Sequence, residues 1–353
     1  MTATLRRTPL HDAHLALGAR MGPFAGWEMP LQYEGGVIAE HRATRATAGA
    51  FDVSHMGQIE TAGPGAQALL ERLSSNDVAA VPIGGAQYSV LCREDGGVLD
   101  DIFTYRLDAE RYLTVTNASN HERDLAWFEA HATGDATVTD RAADYAMIAV
   151  QGPLAREIVQ AIASAPLPER MTIASRTLNG VDALVAGTGY TGEDGVEVLV
   201  APADATGVWN AVLRRGATPA GLAARDTLRT EVCYPLYGND LSDERGPIEA
   251  GLAWCCRRGG GYIGAEAVEA VRAAGPGEKL VPFVIEGDGI ARPGDRIVGG
   301  GVVTSGTYSP SLEIGIGMAY LPAERADVGS EFEIDVRRRR RHARVHERPL
   351  LKV

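Results

Sequence analysis

The stretch QYSVLCREDGGVLDDIFTYRL, running from Gln87 to Leu107, decides the fold class. Gln87–Cys92 and Val98–Leu107 are rich in β-branched, aromatic and aliphatic residues, and Glu94-Asp95-Gly96-Gly97 between them is a polar, glycine-bearing turn. Two such runs joined this closely form a hairpin. Downstream, a short turn at Asp108–Glu110 leads to another strand over Tyr112–Thr116. A helix then begins near Asn117–Asn120 and includes Leu125, Trp127 and Phe128. Upstream, Gly63-Pro64-Gly65 introduces an amphipathic helix over Gln67–Leu73. Strands that turn straight back on themselves, with helices set apart from them, predict an α+β unit on an antiparallel sheet.

The texture repeats further along. A strand at Ala146–Val150 enters a helix through Gly152-Pro153, and strands follow at Ala183–Val185 and Val196–Val200. Helical patterns cover Val208–Leu213, Ala223–Glu231 and Ala265–Ala273. From Lys279 the pattern changes to short β-rich runs among Gly and Pro: Val281–Ile285, Ile297–Thr304, Ile314–Ala319 and Phe332–Val336. That reads as a small all-β barrel or sandwich, with the boundary at Gly275-Pro276-Gly277.

Composition narrows the function classes. The 353 residues are 45% hydrophobic and 23% charged, enough for two or three domains with ordinary cores. No run approaches the roughly 20 apolar residues of a membrane helix. His11, Asp12 and His14 interrupt any apolar leader after Arg6-Arg7, so cytoplasm is the expected compartment. A net charge of -12 argues against nucleic-acid and anionic-membrane partners. Against that balance stands the basic run Arg337–Arg341, read either as a solvated strand or as a docking patch for an acidic partner. Cys92, Cys233, Cys255 and Cys256 form no CxxC pair and the eight histidines show no HExxH spacing, so no metal is expected.

Three positions stand out chemically. Within the strand beginning at Val98, Leu99, Asp101, Phe103 and Tyr105 share one face, while Asp100, Ile102 and Thr104 share the other. Asp101 thus lies on the more aromatic face, either as a perturbed functional acid or as a carboxylate satisfied by backbone amides. After the turn Thr191–Gly195, Glu197 falls between Val196 and Val198 inside an apolar strand. It needs either an internal partner, Arg225 or Arg229, or a ligand offering two adjacent N–H groups, as a pterin does. Arg225 begins a small-residue helix and binds either a ligand oxygen or a neighbouring acid. Trp27 and Trp254 are core residues or ligand platforms.

Taken in order, the segments FAGWEMPLQY (Phe24–Tyr33), FDVSHMGQIE (Phe51–Glu60), GGVLDD (Gly96–Asp101), VQGP (Val150–Pro153), GYTGEDGVE (Gly189–Glu197), GLAARDTLR (Gly221–Arg229), YGND (Tyr237–Asp240) and SGTYSPSLEIGIGMAY (Ser305–Tyr320) resemble the glycine cleavage T-protein family from about Leu5 to Pro349. The resemblance implies a three-domain, clover-like fold around a folate channel. Its expected division is a discontinuous folate-binding α+β domain (1–50 with 145–275), an α+β domain carrying the catalytic acid (51–144), and a C-terminal β-barrel (278–353). The second aspartate of the GG-hydrophobic-hydrophobic-DD motif is the family's catalytic residue, which is Asp101 here. The family's pterin-gripping Tyr and Glu match Tyr190 and Glu197, and its folate-contacting Arg matches Arg225. Met56, Val115 and Trp254 match further folate contacts; Asn117, beside Val115, joins them. Tyr88 replaces a smaller apolar residue of many relatives and is expected to reshape the pocket wall. The terminus Pro349-Leu350-Leu351-Lys352-Val353 lacks the aromatic that reaches folate in relatives.

By resemblance the co-substrate is tetrahydrofolate and the partner is lipoylated H-protein, with release of ammonia and formation of 5,10-methylenetetrahydrofolate. The alternatives are a folate-dependent demethylase on the same scaffold and a non-catalytic folate-binding factor. The latter carries a KGCYxGQE motif, whereas the corresponding Gly259–Glu266 stretch has no Cys. The docking surface for H-protein is expected around Arg292, Arg296 and Arg337–Arg341.

Overall fold

The computed structural model describes residues 4–353. Two compact units emerge. The first comprises the described residues up to Leu70, with Val78–Tyr88 and Ile102–Asp226; the second comprises Glu71–Asp77, Ser89–Asp101 and Thr227–Val353.

The first unit is built on a six-stranded sheet. Its order is Ile173–Leu178, Val181–Ala186, Gly195–Val200, Ala146–Gln151, Gly49–Asp52 and Thr218–Pro219. The central strands GVEVLV and AMIAVQ are buried at every position. Strands covered on both faces read as continuous apolar runs rather than alternating ones, which is why both are visible in the sequence. The helix Ala205–Arg214 covers one face. Its Ala205, Val208, Trp209 and Val212 follow the helical period, and all four are buried in the sheet's core. Each of the two valines contributes about 1.5–3 kcal/mol by leaving water. Truncating Trp209 to Ala would break the packing at a cost of about 3–5 kcal/mol.

The Gln87–Leu107 hairpin forms as expected, as Ala86–Cys92 and Val98–Asp108. It joins Arg111–Thr116, Gly57–Ala62 and Thr137–Asp140 in a five-stranded sheet. The residues before the helix at His121–His131 supply its start, with the Asn117 carbonyl accepting from the Asn120 and His121 amides.

In the second unit, six strands close a barrel in the order Glu278–Ile285, Ile314–Pro322, Val302–Ser309, Arg296–Ile297, Glu331–Val336 and Arg339–Val345. The run expected as one strand over Ile297–Thr304 is two. Gly299, Gly300 and Gly301 all take positive φ (81°, 109° and 114°), a conformation that ends one strand and turns the chain into the next. The basic run is not one strand either: Arg337 and Arg338, at φ 50° and 67°, make the tight turn of a hairpin between Glu331–Val336 and Arg339–Val345. Opposite charges meet there, with Arg340 3.4 Å from Glu333, and Arg344 2.6 Å from Glu331 and 2.8 Å from Glu286.

No helix among the described residues is long and apolar enough to cross a membrane. Nor, among those residues, does any group of three or more His, Cys, Asp or Glu stand where it could hold a metal ion.

Candidate functional site

Glu197 lies mid-strand in the six-stranded sheet, paired across the ladder with Ala149 on one side and Ala186 on the other. Its side chain is nearly withdrawn from water, at 9% exposure. Oε2 accepts a hydrogen bond of 2.6 Å from the Thr188 hydroxyl, which in turn lies 2.9 Å from the Tyr105 phenol. Burial first, then the Glu197 charge, push the Tyr105 phenol well above its ordinary pKa.

The guanidinium of Arg225 stacks on the Tyr190 ring, 4.7 Å from its centroid. Burial pulls its pKa down, and attraction to Glu197 and Tyr190 opposes that. No salt bridge joins Arg225 to Glu197 among the described residues, and the Arg225 Nη1 is buried without a hydrogen-bond partner. Arg229, the other sequence candidate for Glu197, is committed elsewhere: it lies 2.7 Å from Asp240 within the second unit. Of the two readings left open for Glu197, an internal ion pair is therefore not what the structure holds.

The loop carrying Tyr190 is fastened at several points. Gln151 donates to the Thr188 carbonyl at 3.1 Å and accepts from the Thr191 hydroxyl at 3.1 Å. Arg45 reaches the Thr191 carbonyl at 2.8 Å and the Glu193 carboxylate at 3.0 Å, and Arg156 grips Asp194 with both carboxylate oxygens at 2.9 Å. A Cβ at Gly189 would overlap the Gln151 amide, so a larger residue there would have to displace the side chain that fastens the loop.

A second group lines up along the five-stranded sheet. Phe103 packs against Tyr105 with ring centroids 5.6 Å apart and meets Tyr88 edge-on at 6.3 Å. Val115 stands directly across the ladder from Phe103. Tyr88 and Asn117 are half-buried. Met56 is half-buried too and follows a segment pinned from below. There Asp52 takes donors from Thr8, His14 and the Ser54 amide at 2.6, 2.9 and 2.9 Å, while Tyr33 bonds the other nitrogen of His14 at 2.9 Å. Between them His55 is 5% exposed, with burial pulling its pKa to about 4. The positive Arg225 adds to that shift and Asp52 resists it, so the imidazole is neutral at neutral pH.

Asp101 and Trp254 belong to the second unit. The face alternation of the Asp101 strand holds, but its depth differs from expectation. The Asp100 side is sealed, with Asp100, Ile102 and Thr104 at 0%, 1% and 2% exposure. The Asp101 side opens in its middle, where Asp101 and Phe103 are only half-buried, between Leu99 and Tyr105, which are not. Of the two aromatic side chains on this face, Phe103 is thus half-buried beside Asp101 while Tyr105 is sealed in the core. Trp254 is exposed on a short 3-10 turn over Ala253–Cys255. The C-terminal tail is anchored in the second unit: Leu350 packs beside Cys233, Leu280, Met318 and Tyr320, and the Leu351 amide donates to the Glu231 carbonyl.

Sequence reasoning overlooked Thr188, His55 and Gln151, and it gave Tyr105 no role. Their signals were slight. Thr188 sits in a glycine-rich loop of the sort that brings backbone close to other groups, and Gln151 is a polar residue ending a wholly apolar strand.

Two family models account for nearly the whole chain: the GCVT N-terminal domain matches residues 10–259 and the glycine cleavage T-protein C-terminal barrel domain matches residues 278–352. The chain belongs to the glycine cleavage T-protein family. It is 44% identical to an aminomethyltransferase of Symbiobacterium thermophilum over 99% of this chain and 98% of that one. A second aminomethyltransferase, from Rubrobacter xylanophilus, is 46% identical over 97% and 93% of the two chains. Among solved structures, the glycine cleavage system aminomethyltransferase T of Bartonella henselae superposes with a TM-score of 0.94 at 33% identity, covering 99% of each chain.

Proposed function

We propose that this chain is the tetrahydrofolate-dependent aminomethyltransferase of a glycine cleavage system. It takes the aminomethyl carbon from the lipoyl arm of H-protein, releases ammonia and forms 5,10-methylenetetrahydrofolate. The observation that carries the reading is an Arg225 Nη1 buried with no acceptor, in a guanidinium that feels the charge of Glu197, a carboxylate at 9% exposure that accepts from Thr188. Buried polar groups left this way are costly unless something binds them. A pterin-like ring fits them chemically, because it offers an N–H pair to a carboxylate and an oxygen to a guanidinium.

Glu197 grips the ligand's donor edge, Tyr190 covers its face, and Arg225 holds Tyr190 by stacking while Nη1 takes an acceptor. Met56, Tyr88, Val115, Asn117 and Trp254 complete the folate contacts. Bound tetrahydrofolate supplies the nucleophilic nitrogens. Asp101 stabilises positive charge developing at the reacting carbon and nitrogen, and its carboxylate receives and returns a proton. With the ring held, much of the acceleration comes from orientation.

The folate-binding domain is residues 1–50 with 145–275, the domain carrying Asp101 is 51–144, and the barrel is 278–353. The confinement of the five-stranded sheet to residues 57–140 and of the barrel strands to residues 278–345 supports this division. The enzyme acts in the cytoplasm, and H-protein docks at the barrel hairpin around Arg337–Arg338 and at Arg292 and Arg296. The relatives named aminomethyltransferase favour this activity over the demethylase and the folate-binding factor.

The test is a turnover assay with aminomethyl-lipoyl H-protein and tetrahydrofolate. Ammonia and methylenetetrahydrofolate appearing together, and only when folate is present, is the expected result. Folate binding without turnover would overturn the reading in favour of another donor.

A further inference from the structure

The Thr188 hydroxyl owns a single proton, and it lies 2.6 Å from Glu197 Oε2. Donated to the carboxylate, that proton is no longer available for the Tyr105 phenol 2.9 Å away, so the phenol must donate to Thr188. The proton order along the chain is therefore set: Tyr105 to Thr188 to Glu197. All three are buried, at 0%, 8% and 9% exposure, and Thr188 is the sole hydrogen-bond partner of the Tyr105 hydroxyl among the described residues. Without the Thr188 hydroxyl the Tyr105 proton would be buried without an acceptor, a state penalised as any orphaned buried donor is. Gln151 adds a further constraint, because its bond to the Thr188 carbonyl holds the backbone from which the hydroxyl is aimed.

We propose that Thr188 and Tyr105 are positioning residues which hold Glu197 Oε2 in place as an acceptor and leave Oε1 to the donor edge of the ligand. The proposal rests on the ligand-gripping role of Glu197 given above. It makes the relay a specificity device. A ring edge presenting two N–H donors is accepted, as in a 2-amino-4-oxopyrimidine, and an edge presenting a lone pair is refused. Neither residue contacts the ligand; each acts through the next.

The experiment is calorimetric titration of tetrahydrofolate, under anaerobic conditions, into the intact enzyme and its variants, with a melting temperature taken for each. Thr188→Val should weaken binding roughly tenfold and Tyr105→Phe roughly threefold, the loss expected for one charged and one neutral hydrogen bond. Thr188→Ser should restore wild-type affinity, since it keeps the hydroxyl. In turnover, Thr188→Val should raise the folate KM and leave kcat within about twofold. On a Glu197→Ala background, adding Thr188→Val should weaken binding no further, because the residue it serves is gone. Equal losses on both backgrounds would mean a general structural role and overturn the proposal. So would wild-type affinity in Thr188→Val while Glu197→Ala binds weakly. Unchanged affinity in Glu197→Ala itself would remove the ligand role of Glu197, and the relay's purpose with it. Should Thr188→Val melt early, Thr188→Ser and Tyr105→Phe decide the question alone.

Discussion

Two arginines four residues apart in one helix, Arg225 and Arg229, live in opposite circumstances. Arg229 is saturated: it bonds Asp240 at 2.7 Å, the Tyr234 carbonyl at 3.2 Å and the Ser305 hydroxyl at 2.8 Å. Asp240 in turn collects Thr304, Ser305 and the Leu236 amide at 2.6, 2.8 and 3.0 Å. Arg225 has a ring to stack on and an Nη1 with no partner. The same contrast separates the carboxylates. Glu231 is ringed by Ser309 and both polar groups of Ser311, whereas Glu197 has Thr188. Complete satisfaction suits a group that holds the fold together, whereas a buried guanidinium nitrogen left without an acceptor suits one kept for a ligand under the function proposed above.

The largest expected effect concerns Asp101, a half-buried side chain to which the proposed function gives the chemistry. Asp101→Asn should lower turnover by roughly 10²–10⁴, the usual range for acid–base help, with tetrahydrofolate affinity nearly unchanged. Steady-state kinetics beside a binding titration would check both halves.

Next in size is the arginine pair. Arg229→Ala should cost about 3–5 kcal/mol in a denaturant titration, because Asp240 is left buried and unpaired. Arg225→Met should leave stability unchanged or slightly higher, since it removes a buried, incompletely bonded charge.

His55 gives a pH-dependent prediction of similar scale. Its folded pKa, about 4, lies below the ordinary value of 6.5. Between those two values the unfolded chain binds the extra proton, so stability is full above pH 6.5 and falls as the pH drops toward 4. The loss amounts to about 3 kcal/mol at the acid end. Denaturant midpoints at pH 7 and pH 5 should differ less in His55→Asn than in the wild type.

The smallest effect belongs to the barrel hairpin. Glu333, Glu331 and Glu286 already offset Arg340 and Arg344, so its field is weaker than the run of arginines suggests. Replacing Arg337 and Arg338 together by Glu should raise the KM for H-protein several-fold at low salt and little at high salt. Equal KM values at both salt concentrations would count against docking there.

Much of this was legible because it obeys local rules. The Gln87–Leu107 hairpin announces itself by β-rich runs around a Gly-Gly turn, and the buried central strands by unbroken apolar sequence. Where a local rule was masked, reading failed. Arg20–Phe24 and Trp27–Gln32 pair as a hairpin, but Pro23 and Pro30 hide the strand pattern. Pro30 is tolerated because the parallel strand Arg6–Arg7 pairs with Trp27 and Glu28 and stops short of it. Alternation gave the two faces around Asp101 but not their depth, which depends on what packs above each. The proton relay was invisible for the same reason. Tyr105, Thr188 and Glu197 meet only through tertiary packing, and no spacing rule joins positions 83 and 9 residues apart.

The most direct test of the central claim is tetrahydrofolate titration into the wild type and Arg225→Met, with thermal stability followed in both. An affinity loss of tenfold or more in Arg225→Met, at an unchanged or raised melting temperature, is the result expected of a charge kept for a ligand. Wild-type affinity in that variant, or a melting temperature that falls as far as Arg229→Ala brings it, would show instead that Arg225 belongs to the fold.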